Sequence, residues 1–336
     1  MAAYSAHVET SWFATNEEAF ENAAAGHDGV LSDPSGELII KPCTGTEAEF
    51  YQQTLQDYPD FAALMPAFMG TLQLGAPAQA ADITAVNEFV ENNQAQKDKQ
   101  LHGSKIATES AIVLENLEHG FSKPNVLDLK LGARLYADGT ALEKAERLDK
   151  VASETTTGSL NFRIAGMKVW NGQSFDTYDK FYGRKFNADN VKDGFATFFS
   201  GLTKGLRKDE AAELLETIEA EVAKARNALE RLESRMYSAS ILIVYEGDTA
   251  ALENLMGGVP KTPRLQEKAP TLGEVQQSED EEEAEDEDEP PMAYQVKMID
   301  FAHATWTPGQ GKDENVITGL KNIEKQMDML ITRVTG

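Results

Sequence analysis

A chain of 336 residues with 41% hydrophobic content can bury one large or two medium cores, which excludes a wholly disordered protein. The formal net charge of -25 argues against nonspecific nucleic-acid binding, and Cys43, the single cysteine, excludes an intrachain disulfide or a multi-cysteine metal site. No apolar run approaches the roughly 20 residues that cross a bilayer, and "MAAYSAHVETSW" lacks a signal-peptide pattern, so the expectation is a soluble intracellular protein with no membrane span.

In chain order, the residues up to Pro42 read as irregular chain and then two short strands around glycine-rich turns, with Lys41 at the end of the second. "TEAEFYQQTLQDY" follows with Phe50, Tyr51 and Leu55 at helical spacing. The polar stretch "ADITAVNEFVENNQAQKDKQLHGS" reads as a mobile insertion, and Ala111 to Leu114 as a buried strand. Next comes "KPNVLDLKLGARLYADG", Lys123 to Gly139, where strand alternation puts Asp128, Lys130 and Gly132 on one face and Leu127, Leu129 and Leu131 on the other. One face is core, and Gly132 on the charged face is expected to leave room for a substrate.

Downstream, "ALEKAERLDKVASETTTGS" reads as a short charged helix and a polar turn, "LNFRIAGMKVW" as a strand, and "NADNVKDGFATFFSGL" as a second helical stretch. The longest helix is expected from Asp209 to Met236, because Leu215, Ile218, Val222, Ala225, Leu229, Leu232 and Met236 alternate steps of three and four. "SASILIVYEGD" is a strand of high β-propensity. Leu252 to Pro291 is proline-dotted and acidic, too poor in apolar residues to offset the entropy of ordering, and is expected to be disordered. "AYQVKMIDFAHATW" then reads as one more strand, and the final helix runs from Asn315 to Arg333 with Val316, Leu320, Ile323, Met327 and Leu330 on one side.

Charge is unevenly placed. Residues 279 to 289, "EDEEEAEDEDE", contribute -10, whereas Gly120 to Glu210 carry 15 Lys and Arg against 12 Asp and Glu. The middle of an acidic protein is locally basic, so a small polyanion can dock there despite the global charge. Neither G-x-x-x-x-G-K-[ST] nor G-x-G-x-x-G occurs, and "PGQGK" at Pro308 is only a turn fragment. What remains is a set of charged residues at strand ends, Lys41, Asp128, Lys130 and Asp300. Together they match the parts of a phosphoryl-transfer site: a strand lysine on nucleotide phosphates, an aspartate on Mg2+, and an aspartate at the attacking hydroxyl.

Three segments carry a family resemblance. "PNVLDLKLG" fits the P-x-x-x-D-x-K-x-G signature of the inositol polyphosphate kinases, "SASILIVYEGD" resembles their S-S-L-L strand, and "MIDFAH" resembles their I-D-F metal motif. "ETTTGSLNFRIAGMKVW" and "YGRKFNADNVKDGFATFF" are similar to the multikinase branch. The resemblance covers nearly the whole chain outside residues 75 to 105 and the acidic segment.

It implies an α+β, two-lobed fold distantly similar to protein kinases. A small N-lobe over residues 1–118 would face a larger C-lobe over 119–336, with a short inositol-phosphate-binding segment at 133–158. ATP would lie in the cleft. Lys41 would contact its phosphates with Glu49 as the orienting partner, and Glu115 and Leu117 would offer hinge backbone groups to adenine. Asp300 and Ser240 would hold Mg2+. Asp128 would meet the inositol hydroxyl, and Lys130 a phosphate. His303, Arg147 and Lys150 would touch the inositol phosphate, with Lys144, Arg147 and Lys150 forming one basic face.

The implied activity is a multikinase phosphorylating inositol 1,4,5-trisphosphate at the 6- and 3-hydroxyls, in the nucleus and cytoplasm. Two alternatives stand beside it. One is a sister kinase of different positional specificity; the other is a nuclear regulatory protein whose acidic run engages basic partners or a transcription complex.

Overall fold

The computed structural model describes residues 30–73, 108, 110–256 and 292–336. The expected insertion at 81–104 and the acidic run at 279–289 lie outside the described residues.

The smaller lobe is an antiparallel sheet ordered β1-β2-β4-β3, from β1 (Leu31–Ser32), β2 (Leu38–Pro42), β3 (Phe68–Gln73) and β4 (Ser110–Glu115). Helix α1 (Gly45–Asp57) starts at Thr44, whose side chain accepts from the Glu47 N–H. Its buried residues are Glu47, Phe50, Tyr51 and Thr54, one helical stripe. Leu55, expected on that stripe, is instead 49% exposed. Thr54 is buried in its place because its hydroxyl is satisfied, donating to the Phe50 carbonyl (2.6 Å) and accepting from Trp306 Nε1 (3.0 Å). Helix α2 (Pro59–Ala62) follows.

The larger lobe is built on an antiparallel sheet ordered β10-β9-β5-β6-β7. Its strands are β5 (Pro124–Leu131), β6 (Phe162–Trp170), β7 (Phe175–Tyr178), β9 (Ser240–Glu246) and β10 (Tyr294–Ile299). Between β5 and β6 lie helix α3 (Leu142–Ser153) and, where only a polar turn is expected, the short helix α4 (Thr156–Leu160), capped by Thr155. Helices α5 (Lys180–Gly183), α6 (Val191–Phe198) and α7 (Ser200–Gly205) follow β7. Leu127, Leu129 and Leu131 are fully buried, as alternation on β5 predicts, and join the main core with the long helices α8 (Lys208–Leu229) and α10 (Glu314–Thr335).

The long helix ends at Leu229, not Met236. Leu232 and Met236 continue the helical period, but Ser234–Met236 forms β8, paired with β11 (Ala304–Trp306). Tertiary bonds explain the change. The buried Asp313 carboxylate takes the Met236 N–H (2.7 Å), and Glu233 accepts from Gly309 and Gly311 in the "PGQGK" turn. The expected disorder from Leu252 onward is corrected at its start, since Thr249–Met256 is helix α9 and Leu252 is buried against the core; residues 257–291 lie outside the described residues.

Candidate active site

Lys41 is the last residue but one of β2, and its ammonium donates to Glu47 (2.9 Å) and to Asp300 (2.8 Å), which comes from the other lobe. The expected partner Glu49 is exposed and does not make this pair; two residues along a helix is a turn of about 200°, so Glu47 faces inward when Glu49 faces water. Burial opposes the Lys41 charge, but Asp300 and Glu47 outweigh it and raise the ammonium's pKa above the ordinary lysine value.

Asp300 breaks the long strand expected through "AYQVKMIDFAHATW" into β10 and β11, because its φ of 66° is left-handed. That turn aims the carboxylate at two lysines, Lys41 and, at 3.6 Å, Lys130. The conformation is held from behind by Phe301, stacked on Phe50 (4.7 Å) and edge-on to Tyr51 (5.5 Å), while Trp306 stacks on Phe50 and Tyr58.

On β5, Asp128 is 1% exposed, and Lys130 also donates to the Ser238 carbonyl (2.9 Å). A bulge on β6 opposite Asp128 and Leu129 bends the ladder at this point. Gly132 (φ 89°) does not keep room for a substrate: a Cβ there would overlap the Asn315 amide. Asn315 occupies that space, accepting from the Ala133 and Arg134 N–H groups (2.8 and 3.0 Å) and donating to the Arg134 carbonyl (3.0 Å).

Ser240 sits across the ladder from both Lys130 and Ile299, next to Asp300, and its fully buried hydroxyl has no hydrogen-bond partner among the described residues. An orphaned oxygen beside a carboxylate fits a hard divalent cation. Among the described residues no group of three His, Cys, Asp or Glu side chains could hold a metal alone, so nucleotide phosphates and water would complete the shell, as is usual for Mg2+.

At the expected hinge, Glu115 donates its N–H to Ala67 (2.9 Å), and its carboxylate accepts from Ala67 and from Gln295, which leaves the carbonyl as the group to offer. Leu117 is buried with Val126 and Val244, flanked by Phe121, Leu242 and Ile299, an apolar cluster bordering the Asp300 turn. Behind it, Lys168 pairs with Glu118, whose pKa burial raises against that lysine's pull.

At the other end, His303 has its pKa lowered by burial, then by Lys144 and Lys130, against Glu47. Lys144 is therefore the member of the basic face whose charge reaches the site. Arg147 and Lys150 lie exposed further along α3, and Lys150 is 3.9 Å from Glu154.

Sequence pattern alone does not single out Arg163 and Arg134. Arg163, paired with Lys130 across the ladder, is 7% exposed and donates to Thr157 (3.0 Å). Its pKa is lowered by burial and by Arg184, while Asp128 supports its charge. The signal available was its strand position opposite "LDLKL".

A lysine-glutamate pair in a small sheet lobe, facing an aspartate at a strand end of a larger lobe, defines a kinase-type phosphotransferase. A model of the inositol polyphosphate kinase family matches residues 111–328. The chain belongs to that family. It is 33% identical to the inositol polyphosphate multikinase of Saccharomyces cerevisiae, covering 92% of this chain and 97% of that one, and 29% identical to the multikinase of Schizosaccharomyces pombe over 93% and 97%. Inositol hexakisphosphate kinase 1 of Rattus norvegicus is 30% identical, but only 65% of this chain and 51% of that one align.

A crystal structure of the inositol phosphate multikinase Ipk2 of Saccharomyces cerevisiae with ADP and Mn2+ superposes with a TM-score of 0.64 at 30% identity, covering 88% of this chain and 100% of that one. The chain is an inositol phosphate kinase of α+β, two-lobed fold. No helix among the described residues is long and apolar enough to cross a membrane.

Proposed function

We propose that this protein is an ATP- and Mg2+-dependent inositol polyphosphate multikinase that phosphorylates inositol 1,4,5-trisphosphate at the 6- and 3-hydroxyls, giving tetrakis- and pentakisphosphates. The observation that carries this reading is the convergence of Lys41, Asp300 and Lys130 within 2.8 and 3.6 Å contacts from both lobes, next to Asp128. Alignment with two yeast multikinases over more than nine-tenths of this chain supports the multikinase branch, since the aligned region spans only about half of the hexakisphosphate kinase.

In the proposed mechanism, Leu117 and its apolar neighbours take the adenine, and the Glu115 carbonyl is available to its edge. Lys41, oriented by Glu47, exchanges its Asp300 contact for ATP phosphate oxygens. Asp300 and Ser240 would hold Mg2+, which when bound would neutralise charge on the triphosphate. The inositol hydroxyl oxygen bonds to the γ-phosphorus as the bond to ADP breaks, in line, and its proton is accepted or oriented by Asp128. Lys130 bears the developing charge and a substrate phosphate, and His303 with Lys144 a further phosphate. Arg147 and Lys150 extend this surface along α3. The protein works in nucleus and cytoplasm, and its acidic run engages basic protein partners.

The test is incubation of pure protein with Mg-ATP and a panel of inositol phosphates, resolving the product isomers. No turnover of any trisphosphate removes the reading; turnover only of the hexakisphosphate replaces it with the sister activity. Asp128→Ala is expected to abolish turnover while ADP binding persists. Asp300→Asn is expected to raise the Mg2+ requirement or eliminate activity.

A further inference from the structure

Arg134 lies just beyond the strand that carries Asp128 and Lys130, and it is held from two sides. Its backbone is locked on both its N–H and its carbonyl by Asn315, reaching in from the C-terminal helix α10 through the space Gly132 leaves. Its guanidinium lies over the rings of Tyr136 (4.9 Å) and Tyr237 (5.1 Å). Tyr136 is itself tethered, its hydroxyl donating to Asp149 on α3 (2.9 Å).

The same knot contains the site residues. The Tyr237 N–H donates to the His303 carbonyl (3.2 Å), Ser238 Oγ donates to the Leu135 carbonyl (2.9 Å), and Lys130 donates to the Ser238 carbonyl (2.9 Å). Arg134 is thus one residue from a segment bonded to the Lys130 and His303 anchor points. Its only charged partner among the described residues is Asp138, which is 90% exposed where Arg134 is 41% exposed.

An exposed ion pair of this kind contributes little to stability. It does not account for the two backbone hydrogen bonds and two aromatic rings that hold this one cation in place. A pre-oriented guanidinium is suited to two-pronged recognition of phosphate, and ordering it beforehand lowers the cost of binding.

We propose that Arg134 binds a phosphate of the inositol polyphosphate substrate, other than the one being transferred, and that Asp138 is its resting counter-ion, displaced when the substrate arrives. The inference rests on the inositol phosphate kinase reading of the site and names a contact that the motifs do not. It assigns the two residues opposite effects. Arg134 attracts the substrate and Asp138 competes with it.

The experiment is steady-state kinetics of Arg134→Gln, Arg134→Lys and Asp138→Asn on inositol 1,4,5-trisphosphate at saturating Mg-ATP, and on Mg-ATP at saturating trisphosphate. Arg134→Gln is expected to raise KM for the trisphosphate about tenfold or more, with KM for ATP and kcat changed less than about twofold. Arg134→Lys should fall between, keeping charge but losing the fork. Asp138→Asn should lower KM for the trisphosphate.

An unchanged trisphosphate KM in Arg134→Gln overturns the proposal. So does an equal rise in both KM values with a lower melting temperature, or an Asp138→Asn change in the same direction as Arg134→Gln. Calorimetric titration of the unmutated protein with inositol 1,4,5-trisphosphate separates the two readings. A protein that binds and turns over the trisphosphate, but is indifferent to Arg134, loses this inference alone; one that does neither loses the proposed function with it.

Discussion

Glu47 and Glu49 stand two residues apart on α1, and only the inward one meets Lys41. Removing one partner of a buried charged pair costs about 3–5 kcal/mol, and Lys41 keeps Asp300 as a second carboxylate, so the lower end applies. Glu47→Gln is expected to reduce kcat/KM for ATP on the order of 10²-fold, whereas Glu49→Gln stays within about twofold; equal losses in a kinase assay would return the pairing to Glu49. Gly132 makes a second residue-scale case. At φ 89° with Asn315 against its α-carbon, Gly132→Ala combines about 1–3 kcal/mol of backbone strain with displacement of the Asn315 clamp, and urea melts should register the loss. For His303, the lowered pKa means that the unfolded chain binds more protons than the folded one, so stability rises with pH between the lowered value and 6.5. A polyanion reverses the preference, so binding should take up a proton in that window and affinity should strengthen as pH falls. Calorimetry in buffers of different ionisation heat would show the uptake, and His303→Gln should remove it while the substrate's own titration remains.

At the scale of elements, the aromatic cluster that joins α1 to the Asp300 turn carries the next prediction. Phe301 is fully buried against Phe50, Tyr51 and Phe61, so Phe301→Ala should cost about 3–5 kcal/mol of stability by cavity formation. Because the same ring supports the left-handed Asp300, metal dependence should worsen in the folded variant, whereas Phe301→Leu should restore most of both. Elements with a clean period were legible in the sequence: the α8 and α10 stripes, and the leucine face of β5, whose burial needs nothing beyond alternation. Those set by distant partners were not. The C-terminal end of α8 looks helical at Leu232 and Met236, and only Asp313, Glu233 and β11 turn that stretch into a strand. The break at Asp300 is likewise invisible locally, because its left-handed backbone is held by side chains from α1 and α2. The site shows the same division. Lys41, Lys130 and Asp300 were named from strand-end charge and are brought together, while Glu47, Arg134 and Arg163 depend on which way a helix or ladder faces.

For the whole molecule, a net charge of -25 sits awkwardly with a polyanionic substrate, and the residues from Gly120 to Glu210 offset it only locally, with 15 cationic against 12 anionic side chains. Field at the site is therefore a sum of a near cationic group, Lys130, Lys144 and Arg134, and a diffuse acidic background that salt screens over about 10 Å at 0.1 M. Residues 279 to 289 supply -10 of that background, and their deletion moves the chain from -25 to -15. If the run acts only as background or as a partner-binding tag, the deleted enzyme keeps its kcat. Its kcat/KM for inositol trisphosphate should rise at low ionic strength, because repulsion of the incoming anion is reduced, and the two proteins should converge as salt is raised. Replacing the trisphosphate by more highly phosphorylated acceptors should steepen that salt dependence, since each added phosphate meets the same field. A fall in kcat on deletion, independent of salt, would instead make the acidic run part of the working enzyme.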